Sequence, residues 1–172
     1  KAQYPVLVGL QEKDSLTLEK LLKIFMMTRA DDVRAAMVSA IAGSEQKAVT
    51  MMNQLADRLN LKDTKVVASD GAFMSGQHTN AYDLYVVFRE LLTHDLFAEN
   101  YQKASLTVRL TKEDGSTKTI RAKNSEHSYS HLYGTPMVPE GYTFLTRMSG
   151  GCASSGLAQV ILAEIEKLRE KE

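Results

Sequence analysis

A few residues in this sequence have types and spacings that could do chemistry. Ser44-Glu45-Gln46-Lys47 places a hydroxyl and an amine three residues apart. On a helix those side chains are neighbours, and a lysine beside a serine is one way to make the serine nucleophilic. Thr17 and Lys20 share the spacing. Both hydroxyls also have a plainer use, because Ser or Thr just ahead of an apolar-periodic run caps a helix. Capping is the role expected of them. Cys152 could offer a thiolate beside Gly151. No histidine with an Asn or Asp partner is identifiable for it, and a buried structural thiol is expected. His127 and His131 lie four apart and His78 lies well upstream. Their surroundings read as loop and no carboxylate cluster completes a metal site, so neither metal nor other cofactor is expected. Arg29, Asp31 and Asp32 form a short charged run that could line a polar groove. The simpler uses are a helix cap for Asp31 and solvation for Arg29.

The elements that must position these groups follow from periodicity. Tyr4-Pro5 disfavours helix, and Val6, Leu7 and Val8 suit a short strand or packed loop. A first helix follows Thr17, with Leu18, Leu21, Leu22, Phe25 and Met26 on one face. A second starts at Asp31 or Asp32, turns Val33, Ala36, Met37, Ala40 and Ile41 inward, and ends at Gly43. A third starts at Ser44, with Glu45 suiting the helix dipole and Ala48, Met51, Met52, Leu55 and Leu59 buried. The methionines 26, 27, 37, 51 and 52 are read as core. Lys62-Asp63 reads as a turn and Thr64–Ala68 as a short strand. Residues 69–94 then run from a Gly-punctuated loop into an amphipathic helix. Asn80 is its cap, Asp83 sits at capping-box spacing, and Ala81, Leu84, Tyr85, Phe88, Leu91 and Leu92 form its apolar face. Asp95–Gln102 adds a turn or two of helix.

From Ala104 the period changes to two. Leu106, Val108 and Leu110, then Ile120 and Ala122, alternate with polar residues about an Asp114-Gly115 turn, which predicts a β-hairpin over 104–123. Residues 124–141 read as loop, 142–148 as a third strand, and Leu157, Val160, Ile161, Ile165 and Leu168 mark a last helix. Gly150-Gly151 separates these two.

Composition sets the outer bounds. The chain has 172 residues, 44% hydrophobic and 24% charged, which suits a single soluble domain. Its formal net charge of 0 gives a nucleic-acid partner no support. One cysteine excludes an intrachain disulfide. No apolar run approaches the roughly 20 residues of a membrane span, and the first residues are too short an apolar run for a signal peptide.

The Gly loop of residues 69–76, the His78-Thr79 pair and the Ala81-Tyr82-Asp83-Leu84-Tyr85 run together resemble the D-alanyl-D-alanine carboxypeptidases, the penicillin-binding serine peptidases of the bacterial cell wall. The resemblance covers roughly residues 8–133. Gly9-Leu10, Asp14, Leu16-Thr17, Glu19 and Leu21-Leu22 match the family's lead-in to a first helix. Ile41-Ala42-Gly43-Ser44-Glu45 and Thr79, Ala81, Asp83 and Leu84 match further stretches in order. The family's chemistry uses three motifs. Its S-x-x-K, which carries the acylated serine, falls N-terminal to everything matched, and the chain is expected to start too late to include it. Its cleft motif S-x-N corresponds to Arg29-Ala30-Asp31. Its K-T/S-G corresponds most nearly to Arg147-Met148-Ser149-Gly150, with Met148 where the lysine should be.

The resemblance implies an α+β fold over residues 1–172: a mainly helical part (1–103), then the hairpin, strand and C-terminal helix (104–172). This would be a reduced β-lactamase/transpeptidase-like architecture. No catalytic residue is assigned. Arg29, Asp31, Arg147 and Ser149 are the cleft-equivalent binding candidates. The expected role is a catalytically degenerate homologue that binds a peptidoglycan peptide or a protein in the bacterial cell envelope, or pairs with itself through an exposed sheet edge. The alternatives are part of an active carboxypeptidase working through a serine acyl-enzyme, and a purely structural protein.

Overall fold

The first helix, α1 (Leu18–Thr28), is apolar over more than half of its circumference, with Glu19, Lys20 and Lys23 on the remaining side. Leu22, Ile24 and Met27 are fully buried, and Leu21 and Phe25 nearly so. These positions span a wide arc of the helix, and an arc that wide must be covered from several sides. The computed structural model describes residues 6–70, 74–101 and 103–124. Within them α1 packs against α2 (Asp31–Ile41), α5 (Asp95–Tyr101), β1 (Ser105–Thr111) and β2 (Thr117–Lys123). Two more helices, α3 (Glu45–Arg58) and α4 (Ala81–Leu91), extend the cluster. The fold is α+β, a helical cluster packed, among the described residues, with a two-stranded antiparallel sheet.

The hairpin forms as its alternation predicts. Val108 pairs with Ile120 and Leu106 with Ala122, and these side chains face the helices while Thr107, Arg109, Thr119 and Arg121 face out. Thr17 and Ser44 cap α1 and α3 by accepting the backbone N–H groups of Lys20 and Lys47. Asn80 caps α4 by accepting the N–H of Asp83 at 2.7 Å. Gly43 follows α2 at φ +72, where its N–H reaches the Val38 carbonyl. Met27, Met37 and Met52 are buried and Met26 and Met51 partly so, as core residues should be.

Several expectations are corrected. Thr64–Ala68 is no strand; one isolated bridge joins Lys65 to His78. Val6–Val8 takes the loop alternative and not the strand: Val8 packs against the core, while Val6 and Leu7 are exposed. Asp31 does not cap α2. The cap residue is Ala30, without a side-chain bond, and Asp31 is the first helical residue. Ala40 is exposed, while Val38, Val49, Ala56 and Val87 are buried beyond the expected stripes. The expected strand at 142–148 and the C-terminal helix lie outside the described residues, as do His127, His131 and Cys152.

The burial of α1 gives a direct test. Leu22→Ala should lower the unfolding free energy by about 2–5 kcal/mol, read from urea denaturation, because the enclosing elements cannot all close on the void.

Candidate functional site

The joint between α1 and α2 holds two of the four candidates, Arg29 and Asp31. Arg29 closes α1 in the left-handed region, at φ 53, donating its N–H to the Phe25 carbonyl at 2.8 Å. A residue with a Cβ held there costs on the order of 1 kcal/mol, so the surroundings must hold it. Asp31 follows at the start of α2, and both its backbone and its carboxylate turn to the lead-in. Its N–H donates to the Val6 carbonyl at 2.7 Å, and its Oδ2 accepts the Val6 N–H at 2.9 Å. One residue thus satisfies both backbone groups of Val6.

Asp32 does more of the same. Its Oδ1 accepts from the N–H groups of Val8 (3.2 Å) and Val33 (3.0 Å), and its Oδ2 from those of Gly9 (2.8 Å) and Leu10 (2.9 Å). Three successive lead-in amides converge on one carboxylate, an anion-binding nest. Gly9 makes this possible at φ +76. A Cβ there would also lie 3.3 Å from the Lys118 ammonium, which donates to the Gly9 carbonyl. The lead-in is therefore strapped between the start of α2 and β2.

A second polar group fastens the long loop between α3 and α4. Asp83 is buried, and its carboxylate does not return to Asn80 to complete a capping box. It accepts from the Asp63 N–H (2.9 Å) and the Thr64 hydroxyl (2.8 Å). Asn80 in turn donates to Asp63 Oδ2 at 2.8 Å. Asn53 brackets Val66, donating to its carbonyl and accepting its N–H, and Gln77 accepts from Val67 and Ala68. His78 sits in this loop with Nδ1 2.9 Å from the Gly76 carbonyl.

The third group was not visible in the sequence at all. Arg34 of α2, Glu45 of α3 and Ser69 of the loop meet. The Arg34 guanidinium donates to Glu45 (2.9 Å) and to the Ser69 hydroxyl (2.8 Å), and Glu45 accepts the Ser69 N–H (3.0 Å). Ser69 is fully buried, and Nε of Arg34 is buried without a hydrogen-bond partner among the described residues. Burial works against the Glu45 charge, but hydrogen bonds from Ser69 and Arg34 outweigh it and hold its carboxyl below the ordinary glutamate range. Nothing in the spacing of residues 34, 45 and 69 signals this meeting.

These arrangements hold backbone and do not prepare a nucleophile. The hydroxyls of Thr17 and Ser44 accept cap bonds. The Ser69 hydroxyl accepts from Arg34, which does not lose a proton, and its other partner Glu45 has a carboxyl held below the ordinary glutamate range, which makes it a weak base. Among the described residues no group of three or more His, Cys, Asp or Glu is placed to hold a metal ion. Of the four cleft-equivalent candidates, Arg29 and Asp31 flank Ala30 at this joint, and Arg147 and Ser149 lie outside the described residues.

Comparison with known proteins gives a consistent result. Residues 3–149 match the profile described as D-alanyl-D-alanine carboxypeptidase, peptidase family S11. D-alanyl-D-alanine carboxypeptidase DacD of Escherichia coli is 35% identical over 109 residues, covering 60% of this chain and 28% of the relative. DacF of Bacillus subtilis is 28% identical over 136 residues, covering 79% of this chain and 34% of the relative. The chain thus spans 28–34% of the length of these curated relatives. Among solved structures, a penicillin-binding protein homolog from Mycobacterium tuberculosis shares the fold, with a TM-score of 0.59 and 24% identity over 76% of this chain and 47% of the other.

Two measurements check the polar fasteners. Asp32→Ala should cost roughly 2–4 kcal/mol of stability and open residues 6–14 to limited proteolysis, because four backbone donors lose a charged acceptor. The Glu45 carboxyl is held below its ordinary value, so its stabilising contribution is present above that value and is lost as pH falls. The stability gap between the natural chain and Glu45→Gln should therefore be widest near neutrality and close as pH falls below the ordinary glutamate range. Urea unfolding across a pH series reads it.

Proposed function

The chain belongs to the D-alanyl-D-alanine carboxypeptidase family, and from that premise we propose that it uses the family scaffold to bind and does not itself hydrolyse. The observation carrying this reading is the state of the α1–α2 joint. Where the family resemblance places a serine hydroxyl and an asparagine amide facing substrate, this chain has Arg29 and Asp31. A carboxylate only accepts hydrogen bonds, so Asp31 cannot donate to a substrate as an asparagine amide would. Its carboxylate and N–H are both already engaged with Val6. The described hydroxyls nearest in type to a nucleophile serve as caps or face a guanidinium.

The ligand in this reading is a peptide of the kind the relatives' name specifies, ending in D-Ala-D-Ala, in the envelope of a bacterium. The sheet offers one way to hold it. Ser15 pairs with Thr111 on β1, and Lys20 donates to the Arg109 carbonyl of the same strand. Among the described residues β2 pairs with β1 alone. Its outer edge is a template for an extended peptide.

Labelling the 172-residue chain with a fluorescent penicillin tests the catalytic half, and no covalent adduct is expected. An adduct, or release of D-alanine from a D-Ala-D-Ala peptide, would favour the rival reading of an active acyl-enzyme. Titrating that peptide into isotopically labelled protein tests the binding half. Amide shifts should concentrate on residues 117–123; a spectrum left unchanged by the peptide would sink it.

A further inference from the structure

α4 is apolar on two sides. One side carries Leu84, Val87, Phe88 and Leu91, which are buried. The other carries Tyr82, Tyr85, Val86 and Arg89. Tyr82 is 71% exposed, the most exposed large apolar side chain among the described residues. Tyr85 and Val86 are half-buried and Arg89 is exposed. The Tyr82 and Tyr85 rings lie 6.5 Å apart, and the Arg89 guanidinium sits 5.9 Å from the centre of the Tyr85 ring. Tyrosine and arginine are the residues that anchor protein interfaces, and an exposed stripe of them calls for an occupant.

The order of groups along the stripe selects the occupant. Read from its N-terminal end, it runs ring, ring, aliphatic, cation. We infer that the stripe is the contact of a two-fold dimer in which α4 of one copy packs antiparallel on α4 of another. A two-fold axis midway between residues 85 and 86 sets Tyr82 against the partner's Arg89, and Tyr85 against the partner's Val86. Each guanidinium then lies between its own Tyr85 and the partner's Tyr82, so that both rings share one cation. The contact is self-complementary, as a two-fold interface must be. A parallel pairing would set Arg89 against the partner's Arg89 and leave the Tyr82 ring without a cation. The antiparallel arrangement also brings the positive N-terminal end of each helix to the negative C-terminal end of the other. This inference is independent of the chain's catalytic state and uses a surface distinct from the sheet edge.

One helix of this length, about 16 Å, buries less than the roughly 1,200 Å² of a standard stable interface, so the dimer must be concentration-dependent. Sedimentation of the full 172-residue chain should show the mass rising from 19.1 kDa towards twice that value as concentration is raised into the range of about 100 µM. Tyr82→Ala and Arg89→Glu should each weaken association roughly tenfold, since each change removes the same contact twice. Val86→Cys, made with Cys152→Ser, should cross-link two copies under mild oxidation, because residue 86 lies beside the axis. A monomer at every concentration would overturn the inference, and so would a dimer indifferent to both Tyr82→Ala and Arg89→Glu. If Val86→Cys fails to fold, the exposed Tyr82→Ala still decides. A monomer whose Tyr82 resists nitration would mean that the chain's own residues cover the stripe, and this too would overturn it.

Discussion

A helix whose apolar arc spans more than half of its circumference must be covered from several sides, and α1 imposes that constraint on everything around it. Leu21, Leu22, Ile24, Phe25 and Met27 point in most directions around the axis. α2, α5 and the hairpin have to enclose them. The hairpin serves because its period of two gives one apolar face, and that face supplies Val108, Leu110, Ile120 and Ala122. A two-stranded sheet would be marginal alone; packed on α1 it has the partner it needs.

Enclosure by short elements leaves much backbone outside regular structure, and the chain satisfies it with carboxylates and amides. Asp31 and Asp32 hold the lead-in, Asp83 and Asn80 hold the turn at residues 62–64, and Asn53 and Gln77 hold the loop beyond it. These side chains do for irregular segments what a ladder does for strands. Each lies on or beside a helix, so the helical cluster sets the loop geometry. The Arg34–Glu45–Ser69 group adds a charged link between α2, α3 and the same loop.

That economy bears on function. At the α1–α2 joint the carboxylates of Asp31 and Asp32 are spent on the protein's own backbone. The family membership and the proposed loss of hydrolysis are compatible, because the fold rests on α1 and its neighbours and not on cleft residues. A scaffold can keep its packing while the groups lining its cleft change, since fold and site draw on different side chains.

The sequence by itself determined what depends on neighbours within a turn or a hairpin. Thr17, Ser44 and Asn80 as caps, Gly43 past the end of α2, the methionines as core and the Leu106–Ala122 alternation all follow from spacings of a few residues. The family was visible in the same way, through ordered short runs. Tertiary structure alone decided where the charged side chains went. Asp31 reads equally well as a cap, and Asp83 as half of a capping box, until packing brings Val6 beside the one and Asp63 beside the other. Arg34, Glu45 and Ser69 share no periodicity that could announce their meeting. A hydrogen bond between residues distant in the chain depends on how whole helices are placed, and that placement is set by burial of the core and leaves no mark in local spacing.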